Sequence, residues 1–377
     1  MILYAKVILE VIKMNNSQNT YLTSSQLTLT LKSVMVGIEI MYLPNNVIKI
    51  AKQDGWISCI LGAFYPLIIV FIATYLCKKY PKDNILILSK KCFGNFFGTV
   101  LNLIFISFFL FMLTSELAGY SNVFRIYSTS FLKNYQIILT VLIPIAFAAY
   151  KGLKPIGRLN EVGFYVTIAL IILPIGILAY GSLLNMMPVF GSGFSNILGG
   201  VKGTTFSYSG MELLLLIYPF LQDKKKLFKC GIGSLLIVTF IYTWVVFGTI
   251  YYLGIETSEK YLWPVLTLTD SINIPIINSF RFVFMTLWSI VEFKCIATHY
   301  FAVTYGLNQS MKKISGETFT LLLYPLIIFL ASQYGNPTTF TYYTDKLASI
   351  YIIFNISFAL VLSIFIFFKK DGSYENT

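Results

Sequence analysis

Charge is what this sequence has least of. Only 12% of its 377 residues are Asp, Glu, Lys or Arg, against roughly 25% in an ordinary soluble domain. Apolar residues make up 56% and aromatics 17%, too much apolar surface for a soluble fold of this size to hide from water. Histidine is nearly missing, with His299 alone. No nucleophile–base pair, metal triad or phosphate-binding loop is legible, so enzyme activity and a cofactor are not expected. The five cysteines (Cys59, Cys77, Cys92, Cys230, Cys295) show no paired spacing, which argues against a disulfide framework and a metal site. Long polar stretches are missing too. The longest loops fall near 78–95, 184–200 and 255–276, and none has room for a soluble domain.

Long apolar runs are what the chain does contain. They cover about 27–50, 56–77, 96–122, 135–150, 160–183, 202–221, 230–254, 277–308, 317–335 and 345–368. Most reach the roughly 20 residues that carry a helix across hydrocarbon. The expected fold is therefore an all-α integral membrane protein of about ten transmembrane helices. The net charge of +12 does not indicate nucleic acid, because the lysines cluster in short loops between apolar runs. Alternate stretches hold 19 cations, from Lys6, Lys13 and Lys32 through Lys224, Lys225 and Lys226 to Lys369 and Lys370, and the opposite side holds 8. That asymmetry predicts cytoplasmic termini at both ends. Residues 1–26 read as a cytoplasmic tail, 27–368 as the membrane domain and 369–377 as a second tail. Residues 1–13 are apolar but too short to cross. They fit an interfacial helix, or a chain whose start is Met14.

Two runs carry backbone-breaking signals. The first reads Gly37-Ile38-Glu39 with Pro44 beyond. The sixth reads Phe206-Ser207-Tyr208-Ser209-Gly210-Met211-Glu212 with Pro219 beyond. They hold equivalent places in two halves of five. Interruptions at matching positions point to an inverted-repeat transporter fold with its site at the breaks, although glycines also serve close helix packing. An unwound turn frees amides and carbonyls that need partners within lipid, and a ligand can supply them. The expected ligand-binding residues are Gly37, Ile38, Glu39, Phe206, Tyr208, Ser209, Gly210 and Glu212. Further charges at membrane depth, Glu116, Glu292 and Lys294, are expected to face the bundle interior. Lys294 needs a carboxylate partner or loss of its proton. It stands in for a bound metal cation or makes a structural salt bridge.

The ordered set of motifs resembles a known family. Gly37 through Pro44, then Asp54-Gly55-Trp56-Ile57, look like its first-span break and the start of its second span. Gly152-Leu153-Lys154-Pro155-Ile156-Gly157-Arg158-Leu159-Asn160-Glu161 looks like the entry to its fifth. Met187-Pro188-Val189-Phe190-Gly191-Ser192-Gly193 precedes the sixth-span break, and Lys224-Lys225-Lys226 follows it. Leu262-Trp263-Pro264 and the Trp288 region come in order. Over about residues 24–368 the chain resembles the B subunit of GerA-type spore germinant receptors, within the amino acid–polyamine–organocation transporter superfamily. The resemblance implies a LeuT-like fold of two inverted five-helix repeats with broken helices 1 and 6, and a place in the spore inner membrane. It implies a small germinant, often an amino acid, and a complex with an A subunit and a lipoprotein C subunit. A proton-coupled amino acid or polyamine transporter is the alternative. One departure stands out. Where the superfamily often has Gly-x-Gly, this chain has Gly37-Ile38-Glu39, and a glutamate there repels a ligand carboxylate unless it is protonated or paired. A cationic or amine ligand, or an internal Glu39–Lys294 pair, follows from it.

Overall fold

The computed structural model describes residues 21–272, 279–311 and 314–368. The helices are α1 (Ser24–Ser33), α2 (Glu39–Ala51), α3 (Gly55–Gly62), α4 (Phe64–Lys79), α5 (Ile85–Tyr127), α6 (Asn134–Tyr150) and α7 (Leu153–Ile172). They continue with α8 (Phe194–Gly203), α9 (Leu213–Ile217), α10 (Leu227–Lys260), α11 (Pro264–Asp270), α12 (Phe280–Met311), α13 (Gly316–Ser332) and α14 (Pro337–Phe368). No strand occurs among the described residues. One isolated bridge pairs Leu22 with Leu221.

The ten apolar runs of the sequence fall largely on these helices; the fifth continues past α7 into a 3-10 segment, Leu173–Tyr180, and residues 277–278 of the eighth lie outside the described residues. Judged by length and apolarity alone, five helical stretches among the described residues could cross a membrane, or six if the bent pair α12–α13 counts as one span. The shortfall has a physical origin. Runs one and six are split into short halves, the helix of run four has only 17 residues, and runs eight and nine pass only together as the bent pair. The stretch Glu39–Lys79 is continuous by that measure, but it turns where Lys52 takes φ 52°. The membrane fold shows in the direction of burial. Phe71, Phe147, Leu236, Phe240, Leu321 and Ile353 are exposed on the outside, whereas Glu39, Glu116, Glu212, Glu292, Lys32, Lys294 and His299 are buried. Apolar side chains face lipid and ionisable ones face the bundle.

Several expectations are refined. The loop near 184–200 holds most of α8, so the sixth run begins at Phe194 and not at 202. The loop near 255–276 holds α11. Most of 78–95 belongs to α5, which bends at Gly94 with φ 77°. These pieces are too short or too polar to be told from loops by hydropathy. Residues 1–20, 273–278, 312–313 and 369–377 lie outside the described residues, and with them most of the first proposed tail, all of the second, the end of the expected loop 255–276 and the start of the run 277–308. From residue 21 the expected tail is structured. Thr23 and Gln26 cap α1 reciprocally, each backbone N–H held by the other's side chain at 3.2 Å, which fixes the helix start. Lys32, counted with the surface cations, is in fact buried; its Nζ donates to Thr167 Oγ1 at 2.6 Å.

Candidate site at the two helix breaks

Residues 34–38 separate α1 from α2, and residues 204–212 separate α8 from α9. The two interruptions touch. Gly210 has φ 117°, and a Cβ placed there would lie 2.5 Å from the carbonyl oxygen of Val34. Only glycine fits that backbone and that approach. Tyr242 of α10 reaches between the breaks, and its hydroxyl donates to Met35 O and to Ser207 O. It thus serves one freed carbonyl from each.

At each break the glycine amide is capped by the break's own glutamate. At the first, Gly37 N–H donates to Glu39 Oε2 at 3.0 Å. At the sixth, Gly210 N–H donates to Glu212 Oε2 at 2.9 Å. Gly37-Ile38-Glu39 and Gly210-Met211-Glu212 are therefore the same unit: a carboxylate folding back on the amide two residues earlier. A negative group at the start of a half-helix is also favoured by the helix dipole. Glu39 opens α2, and Glu212 directly precedes α9. A second carboxylate serves the first break, because Ile38 N–H donates to Glu116 Oε2 at 2.9 Å. A Cβ on Gly37 would sit 2.6 Å from that same oxygen.

The remaining predicted residues divide into two groups. Ile38 is buried, and its side chain packs close to Gly119 of α5. Phe206 sets its ring against Phe111 and Phe340, at 6.3 and 6.5 Å between centroids. Glu116 and Glu292 join Glu39, with Glu116 near enough to interact with both. These residues are brought together. Tyr208 turns away, donating to Cys59 O at 2.8 Å and to Thr239 Oγ1 at 3.2 Å. Ser209 satisfies Thr205 O locally. Lys294 does not reach Glu39. Its Nζ donates to Ser33 Oγ at 2.9 Å, and no ion pair among the described residues includes it. The Glu39–Lys294 pair is thus replaced by a polar tie between α12 and the end of α1. The lysine stem runs past Gly163 of α7, where a Cβ would lie 2.5 Å from Lys294 Cδ.

Sequence reasoning missed Tyr65, Asn355 and Tyr242. Tyr65 OH and Asn355 Nδ2 both donate to Glu212 Oε1, the latter at 3.3 Å. Tyrosine and asparagine in apolar runs carry no local signal of a partner more than a hundred residues away. Trp288, noted only for its surroundings, donates to Gly37 O at 3.4 Å.

Known proteins bear on this geometry. A solved structure of MhsT in complex with L-phenylalanine superposes with a TM-score of 0.67 at 14% identity, over 91% of this chain and 88% of that one. The substrate-bound, outward-open state of a Na+-coupled sialic acid symporter gives 0.64 at 9% identity, over 92% and 78%. The fold is accordingly the LeuT-like one, with broken helices 1 and 6 in two five-helix repeats. In sequence, Spore germination protein YndE of Bacillus subtilis (strain 168) is 27% identical over 361 residues, covering 94% of this chain and 99% of the relative. Spore germination protein GerQB of Bacillus cereus is 22% identical, covering 81% and 84%. The profile of the family described as spore germination protein matches residues 21–340, and the chain is an integral membrane protein that belongs to that family.

Proposed function

We propose that this chain is the membrane subunit of a germinant receptor. It binds a small germinant, an amino acid or related amine, at the two helix breaks. It sits in the spore inner membrane with both termini cytoplasmic, and it signals to A-type and lipoprotein C-type subunits. The observation that carries this reading is the contact of the two breaks, backbone against backbone at Val34 and Gly210, with Tyr242 holding a carbonyl of each. A ligand that favours one arrangement of such a contact shifts the population of the whole fold. Spores carrying Glu212→Ala test it, since the change strips the sixth break of the acceptor for Gly210, Tyr65 and Asn355. The expected result is loss of germinant response, read as the fall in spore optical density, with the protein still present in the membrane. A normal response overturns the reading.

The transporter neighbours favour one alternative, a proton-coupled amino acid or polyamine transporter. Accumulation of labelled solute against its gradient in vesicles holding the purified chain distinguishes it from a receptor.

A further inference from the structure

Two hollows on the side of the bundle meet at Phe164. The first, of about 410 Å³, opens between the starts of α1 and α10 and is lined by Ser24, Ser25, Thr28, Phe164, Lys226 and Lys229. The second, of about 550 Å³, runs from Phe164 between α7 and α10, past Ile168, Leu236 and Phe240 to Trp244. The first hollow is basic and rich in donors. Lys226 and Lys229 are three residues apart at the start of α10 and share a face. Lys226 makes an exposed pair with Asp223 at 3.5 Å, and no ion pair among the described residues includes Lys229. Ser24, Ser25 and Thr28 add three hydroxyl donors. Among the described residues no carboxylate lines this hollow. The second hollow is a groove walled by apolar side chains alone, with Ile172, Ile175, Leu236 and Phe240 exposed along it. At its far end Trp244 Nε1 donates to Ile171 O at 3.0 Å, tying α10 to α7.

The occupant of such a path needs an anionic head and an apolar tail. From Lys229 to Trp244 the helix rises about 22 Å, which matches one leaflet with its headgroup layer, half of about 40–45 Å. A soluble anion would leave the groove empty, and a lipid without net charge would leave the lysines unanswered. Residues 1–20 do not suit the first hollow by charge, since Lys6 and Lys13 outnumber Glu10 and like charges repel.

The geometry points to a seat for one anionic phospholipid, with its phosphate among Lys226, Lys229 and the hydroxyls of α1, and an acyl chain along the groove between α7 and α10. Ammonium and hydroxyl groups are the donors that phosphate oxygens take best. The seat goes beyond the germinant reading and does not depend on it. Its effect falls on α1, the half-helix that leads into the first break. α1 packs on α7, where Asn160 Nδ2 donates to Thr30 Oγ1 at 3.2 Å. It also packs on α10, where a Cβ on Gly233 would lie 3.6 Å from Thr28 Cγ2. A lipid touching all three helices stabilises this arrangement of them.

The test uses the full chain in neutral detergent. The probes are dioleoylphosphatidylglycerol, dioleoylphosphatidylcholine and glycerol 3-phosphate. Bound lipid is counted by native mass spectrometry, and stability is read by thermal unfolding. Phosphatidylglycerol is expected to bind at one tight site and to raise the unfolding temperature, and the other two to do neither. Lys226→Gln combined with Lys229→Gln is expected to weaken that binding about tenfold or more, each lysine near a headgroup contributing roughly fivefold. Ile168→Trp fills the groove without touching the lysines and is expected to weaken binding by a similar factor. Where it yields no folded protein, Leu236→Trp on the exposed rim carries the same test. Four results overturn the seat. One is equal binding of the two lipids. The second is unchanged phosphatidylglycerol affinity in the lysine variant, including a variant that loses self-association instead, which assigns the lysines to a second copy. The third is unchanged affinity in the groove variant. The fourth is stabilisation by glycerol 3-phosphate equal to that by the lipid, which makes the first hollow a site for a free anion.

Discussion

The first and sixth breaks answer the same problem with different completeness. Both cap a freed glycine amide with a glutamate two residues on. The sixth then surrounds its carboxylate with a tyrosine and an asparagine from other helices, while the first adds Glu116, which takes the amide of Ile38 on one oxygen, and Glu292, to which no described amide, lysine or hydroxyl donates. In one fold, then, a Gly-x-Glu unit can be a finished structural joint or an unfinished one. The finished joint is where stability resides. The unfinished one is held by fewer donors and leaves buried carboxyl oxygens unserved.

The comparison can be broken most severely at its glycines. Gly210→Leu is expected to cost about 4 kcal/mol or more, since a positive-φ residue would meet the backbone of Val34; the readout is the yield and thermal unfolding of detergent-purified protein. Gly37→Ala should cost less, about 1–2 kcal/mol, because its obstacle is the end of the Glu116 side chain, which can move. Equal losses at both sites would erase the difference. Next come the carboxylates. Glu212→Ala leaves three donors without their acceptor and should destabilise by about 3 kcal/mol in the same unfolding measurement. Tyr242→Phe, which removes the single hydroxyl donor that the two breaks share, should cost about 2 kcal/mol. Smallest, and opposite in sign, is Glu292→Met. Exchanging a donorless buried carboxyl for an apolar side chain should be neutral or stabilising by about 1 kcal/mol, while germinant response is lost. A Glu292→Met protein as unstable as Glu212→Ala would show that the first break is finished after all.

Much of this frame was legible in the sequence. Ten apolar runs give the helices, and glycine beside a carboxylate within a run marks each break. Pairing the first run with the sixth gives the two halves of an inverted repeat, and the family resemblance adds the LeuT-like fold. The short helices α8 and α11 were not legible, because ten or seven residues between glycines and prolines look like loop. Lys32 was misplaced for a related reason. A lysine near the start of an apolar run is read by its charge as surface, while its burial depends on Thr167, 135 residues away. The candidate residues themselves were found by type. Which of them converge was not, since Tyr208 and Glu212 lie on one short stretch yet point to different helices. Glu39 reads in the sequence as an obstacle to an anionic ligand, and the role of Glu39 and Glu212 as caps of the broken backbone emerges only in three dimensions.

The bridge between Leu22 and Leu221 has a mechanical consequence. Leu22 N–H donates to Phe220 O at 2.8 Å, and Gln222 N–H returns to Leu22 O at 3.0 Å. The strand-like clasp ties the start of one broken helix to the far end of the other, just ahead of Lys224, Lys225 and Lys226. Lys224 is itself anchored on the carbonyls of Tyr218, Pro219 and Leu221. If α1 tilts, it must either rupture this clasp or pull the lysine cluster with it. A displacement deep in the bilayer is thereby geared to a shift of positive charge at the membrane surface, where a neighbouring protein or an anionic headgroup can register it.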